Sequence, residues 1–106
     1  KSWKLAVAAG ESKNKKKAKD LYKAYQRAGS SSVLKERISW AFVRCGLKRA
    51  IPLLADDLTA PSEPVRRQAY EALRLMTTRR LPEFDAGADR ATREAQAKEV
   101  RRAVGA

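Results

Sequence analysis

Residues 63–76 read EPVRRQAYEALRLM, and this stretch decides the fold. Its apolar positions Val65, Ala69, Ala72, Leu73 and Met76 fall at offsets 0, 4, 7, 8 and 11. That spacing draws one apolar stripe along an amphipathic helix. Upstream by 31 residues, Leu34, Ile38, Ala41, Phe42 and Cys45 repeat the same five offsets. Charged residues follow the first position of each stripe, Lys35 and Glu36 in one, Arg66 and Arg67 in the other. Both stripes are expected in the core. Self-similarity at a fixed period of about 20 to 50 residues is the signature of a repeat architecture.

Local signals bound these helices. Ser31 and Ser32 precede the first stripe, and Ser62, Glu63 and Pro64 precede the second. A serine at the N-cap accepts from an orphan N–H, and a proline in the first turn removes a donor that has no partner. Gly46 ends the first stripe as a natural left-handed stop.

A second helix is expected after each stripe. Residues 50–58 carry Ile51, Leu53, Leu54 and Leu58, with Pro52 tolerated in the first turn. Residues 90–104 carry Ala91, Ala95, Ala97, Val100 and Val104, thinly apolar as befits a terminal element. Between them, residues 77–89 read as an irregular loop whose Phe84 packs back on the helices. Toward the N-terminus, residues 15–28 form another second-type helix with Ala18, Leu21, Tyr22 and Tyr25 inward. Leu5, Ala6, Ala9 and Gly10 match the spacing of Ala41, Phe42, Cys45 and Gly46, which places Lys1 inside a first-type helix. The expectation is an all-α chain, an α-solenoid of about three stacked antiparallel helix pairs with the first truncated. It is read as a single domain over 1–106: a partial repeat at 1–29, a repeat at 30–59, and a repeat at 60–106 with a long internal loop. Starting at Lys1 without a methionine or a leader pattern, the chain is read as a fragment or a matured piece, with any targeting signal upstream.

The run Ala50, Ile51, Pro52, Leu53, Leu54, followed by Pro64, Val65, Arg66, Arg67, Gln68, Ala69, Tyr70, Glu71, Ala72 and Leu73, resembles HEAT-repeat sequence. In that family an "aiPxLl" helix precedes a "VRxxAxxAL" helix. Residues 34–76 carry the resemblance. It implies an α-solenoid whose "VRxxA" helices line a concave face and which works as a binding scaffold. The lysine-rich first connection and the 77–89 loop are both longer than the family's compact turn.

Composition narrows the chemistry. Among 106 residues there is one cysteine and no histidine, which excludes an internal disulfide framework, a cysteine zinc cage and a histidine-based triad. Cys45 is expected in the core as a small hydrophobe. Asp56 and Asp57 are adjacent and diverge by about 100° on a helix, so they do not form a general acid–base pair. No nucleotide loop or nucleophile–base set is present, so no catalytic, metal or cofactor residue is assigned. No apolar run approaches the ~20 residues of a membrane span.

Charge is the strongest remaining signal. The chain has 24 Lys and Arg against 12 Asp and Glu, a net +12. Residues 1–32 hold nine basic and two acidic side chains, with lysines at 13, 15, 16, 17, 19 and 23. In the solenoid reading the first-to-second helix connections share one edge and hold Lys13, Lys15, Lys16, Lys17, Lys48, Arg49, Arg79 and Arg80. The opposite connections hold Ser30 to Ser32, and Glu63 with Asp56 and Asp57 close by. Those eight basic residues are the candidate partner-binding set, and an anionic partner fits them. The expected function is a non-catalytic protein-interaction scaffold within a larger protein or complex. A nucleic-acid-binding module using the same edge is the alternative, and a merely solvated basic loop is the bland one. The aromatics Trp3, Tyr22, Tyr25, Trp40, Phe42 and Tyr70 are assigned to core or groove wall rather than to base stacking. Trp40 is the one to watch among them, because it lies off the centre of the Leu34–Cys45 stripe, a position open to exposure.

Overall fold

Ser31 and Gly46 bound the second helix where the sequence places them. The computed structural model describes residues 17–77 and 80–105. Helix α1 is seen over residues 17–27. Helix α2, Ser32–Cys45, starts with Ser31 Oγ accepting from Leu34 N–H at 3.4 Å and stops at Gly46, whose φ of 61° is left-handed. A 3-10 turn, Lys48–Ala50, leads into the short α3, Ile51–Asp56, with Pro52 in its first turn. A second 3-10 turn, Asp57–Thr59, connects to α4, Glu63–Met76, which carries Pro64 in its first turn. After a non-helical stretch, α5 spans Arg90–Val104, capped by Asp89, which accepts from Thr92 N–H. Among the described residues there is no strand. The match of Leu5, Ala6, Ala9 and Gly10 to a first-type helix lies outside the described residues, as does Trp3.

The core is built as α4 predicts. Val65, Ala69, Ala72 and Leu73 are buried, and Met76 packs against them. Leu54 and Leu58 from the α3 region, Phe42 from α2 and Tyr25 from α1 meet this face. The Tyr22 and Tyr25 rings each stand 5.6 Å from Phe42. Buried side chains of this size each contribute roughly 1.5–3 kcal/mol.

Helix α2 departs from its predicted stripe. Leu34 is 50% exposed and Cys45 is exposed, while Lys35, Ser39 and Phe42 are buried. The buried row is turned by about one residue because it meets polar partners. Lys35 Nζ donates to Asp57 Oδ2 at 2.7 Å, and the Tyr25 hydroxyl donates to the same oxygen at 2.5 Å. Ser39 Oγ donates to Gln68 Oε1 at 2.6 Å, and Gln68 Nε2 donates to the Tyr25 oxygen at 2.8 Å. A fully paired polar row of this kind is tolerated in a core where an unpaired one is not.

The last helix also differs in two respects. Its buried residues are Ala97 and Val100, while Ala91 and Ala95 face solvent, because α5 rests on the α3 region along one narrow row. Arg101 fixes that contact, donating to Ala55 O and to Thr59 Oγ1, both at 3.2 Å. The 80–89 segment does not make a hairpin of α4 and α5. It runs back along α4: the Tyr70 hydroxyl donates to Pro82 O at 2.8 Å, and Phe84 packs 5.5 Å from the Tyr70 ring. One turn nearer the start of α4, Arg66 Nε and Nη2 donate to Ala86 O at 3.0 and 2.9 Å. Arg66 Nη1 donates to Ala60 O and Pro61 O, so one guanidinium ties the loop to the α3–α4 connection. Helix α5 therefore begins beside the start of α4, not beside its end.

Candidate interaction surfaces

The basic positions singled out from the sequence divide into two groups. Lys17, Lys48, Arg49 and Arg80 are exposed. Lys13, Lys15, Lys16 and Arg79 lie outside the described residues. Lys48 and Arg49 follow Gly46 at the end of α2, where cations face the negative end of the helix dipole. Arg49 also stands close enough to α1 to act on Tyr22: burial pushes that phenol up, and the Arg49 charge opposes the shift. Asp57, expected near an acidic opposite edge, instead turns inward to Lys35 and Tyr25. Asp56 is exposed, so the two adjacent carboxylates stand in different surroundings.

Ion pairing separates the two halves of the described surface. On α4 and α5 the exposed arginines meet carboxylates one turn away: Arg67 with Glu63 at 2.7 Å, Arg74 with Glu71 at 2.8 Å, Arg90 with Glu94 at 2.9 Å, and Arg102 with Glu99 at 3.4 Å. From α1 to the α2–α3 turn, the exposed Lys17, Lys19, Lys23, Arg27, Arg37, Arg44, Lys48 and Arg49 have no carboxylate partner among the described residues. Their charge is free to act on a ligand.

A second surface emerges on α2, where sequence reasoning set Trp40 apart but did not join it to Arg37 and Arg44. Val33, Arg37, Trp40 and Arg44 recur at offsets 0, 4, 7 and 11, on the face opposite Lys35, Ser39 and Phe42. Trp40 is 54% exposed, in keeping with its position off the centre of the stripe. It borders a groove of about 740 Å³ between α2 and α4, whose far wall includes Ala72 and the exposed Leu75. The signal was present as the run Arg37–Trp40–Arg44, hidden by attention to the apolar stripe.

Among the described residues no three His, Cys, Asp or Glu side chains come together as metal ligands, and no helix is long and apolar enough to cross a membrane. Comparison with family models, with curated proteins and with solved structures returns no match for this chain.

Proposed function

We propose that this chain is a non-catalytic protein-interaction scaffold, a HEAT-like helical-repeat segment and a subunit or part of a larger assembly. It meets an acidic surface of a protein partner through the basic connections at Lys17, Lys48, Arg49 and Arg80, extended in sequence by Lys13, Lys15, Lys16 and Arg79. The observation that carries the reading is the contrast in pairing. The exposed arginines of α4 and α5 have carboxylates one turn away, whereas Lys17, Lys48 and Arg49 have none among the described residues. Such a field steers and orients an oppositely charged partner. The helical-repeat reading draws its support from the α4 stripe and from Ser31, Gly46 and Pro64 standing where a repeated helix pair needs them.

Polyglutamate serves as the test partner. The chain is expected to bind it at low salt, to release it as ionic strength rises, and to bind it at least fivefold more weakly as the double variant Lys48→Glu, Arg49→Glu. Absence of binding at low salt, or binding indifferent to that double reversal, contradicts the proposal.

A further inference from the structure

We infer that the outward face of α2 is a binding site for single-stranded nucleic acid, with Trp40 as the platform on which a base stacks. The site is separate from the connections carrying Lys48 and Arg49, and its argument stands independently of the scaffold reading.

Three observations converge on this occupant. Trp40 is an indole 54% exposed on a helix whose opposite face supplies the core residue Phe42. Folding gains little from leaving so large a ring in water, and its flat face suits a nucleobase. Arg37 and Arg44 flank it one turn before and one turn after, both exposed and both without an ion-pair or hydrogen-bond partner among the described residues. The two arginines lie about two helical turns apart, roughly 10 Å along the axis. A strand laid along α2 can thus offer a phosphate to each while the base between them reaches Trp40. Third, the groove beside Trp40 has room, about 740 Å³, and its far wall sets the apolar Ala72 and Leu75 among Arg67, Gln68 and Glu71.

Charge selects this occupant over a second copy or an apolar peptide. Two chains of +12 repel one another, whereas a polyanion releases counterions when lysines and arginines neutralise its phosphates. Glu36, with Glu71 on the opposite wall, lines the groove and repels phosphate from that side. It directs the backbone toward the Arg37–Arg44 side and the bases toward the groove. Single strands suit the site better than duplex because stacking on an indole requires an unstacked base.

The probe is a twelve-nucleotide oligothymidine, with inorganic polyphosphate as a polyanion that has no bases. In a Trp3→Phe background, oligothymidine is expected to quench Trp40 fluorescence. Trp40→Ala is expected to weaken oligothymidine binding by tenfold or more, in line with the loss of one stacked base, while leaving polyphosphate binding within twofold. Arg37→Gln with Arg44→Gln is expected to flatten the salt dependence of oligothymidine binding by about 1.4 log units per log unit of salt, about 0.7 for each phosphate contact. Circular dichroism of each variant checks that the helices persist, as expected for exposed positions. The inference is overturned if oligothymidine does not bind at low salt, or if Trp40→Ala binds it as well as the parent chain. Equal loss of oligothymidine and polyphosphate binding in a folded Trp40→Ala variant also overturns it.

Discussion

Lys35 Nζ lies 2.7 Å from Asp57 Oδ2 and 4.7 Å from the centroid of the Tyr25 ring. The ammonium group is thus held between a carboxylate and an aromatic face, in a pair whose side chains are only 9% and 16% exposed. No buried side-chain nitrogen or oxygen among the described residues lacks a hydrogen-bond partner, so the polar seam through α1, α2, α4 and the α3–α4 connection is complete. Breaking one member of a buried pair leaves the other charge stranded. Lys35→Met is therefore expected to cost about 3–5 kcal/mol in urea unfolding. The double variant Lys35→Met, Asp57→Leu is expected to cost clearly less than the two single losses added together. Additive losses would mean that the two groups do not act as a pair.

The same seam sets an alkaline limit on stability. Burial, reinforced by the Asp57 hydrogen bond and charge, pushes the Tyr25 phenol well above its usual value near 10, against weaker opposing bonds from Gln68 and Ser39. In the unfolded chain that phenol ionises near pH 10 while the folded chain keeps its proton. The stability it contributes is whole below about pH 10 and is lost as pH rises toward the folded value. Tyr25→Phe, which has no proton to lose, is expected to show a shallower fall in urea midpoint between pH 9 and about 11. Parallel curves for the two proteins would show that Tyr25 is not held protonated by the fold.

Arg66 is the clamp on the returning loop. Its fork reaches three carbonyls, at Ala60, Pro61 and Ala86. A lysine presents its donors from a single point and lacks that planar reach. Arg66→Lys is expected to lose about 1.5–3 kcal/mol and to speed amide exchange of residues 80–89 ahead of α4 itself. Uniform acceleration along the whole chain would argue against a local clamp.

Helix α4 was legible because Val65, Ala69, Ala72 and Leu73 form an apolar row that periodicity alone finds, although Arg66 and Gln68 are buried beside it. Helix α2 was not, because its buried row contains Lys35 and Ser39. Their partners Asp57 and Gln68 stand 22 and 29 residues away, beyond the reach of a local pattern. The start and stop of α2 were nevertheless readable from Ser31 and Gly46, since capping is a local interaction. The return of the 80–89 segment was hidden for the opposite reason: it is fixed by backbone carbonyls, which every residue has. At the candidate site, the exposure of Lys48 and Arg49 followed from their place in a turn. The α2 stripe of Arg37, Trp40 and Arg44 depended on which way that helix is turned, and so on the polar seam.

The rotation of α2 is testable with two leucines. Leu73→Ala is expected to cost about 2–5 kcal/mol, as a fully buried side chain leaves a cavity. Leu34→Ala, at a half-exposed position, is expected to cost less than about 1 kcal/mol. Similar losses at both positions would return Leu34 to the core and undo the account of α2.

The claim that binding depends on where unpaired basic groups stand, and not on the net charge, is tested most directly by two triple variants of equal charge. One carries Lys17→Gln, Lys48→Gln and Arg49→Gln. The other carries Arg74→Gln, Lys98→Gln and Arg102→Gln, on the half where two of the three already face a carboxylate. Polyglutamate affinity is measured for both across a salt titration. The account predicts that the first triple loses at least fivefold in affinity and flattens the salt slope, while the second stays within twofold of the parent. Equal weakening by the two triples would contradict it, because total charge alone would then govern binding.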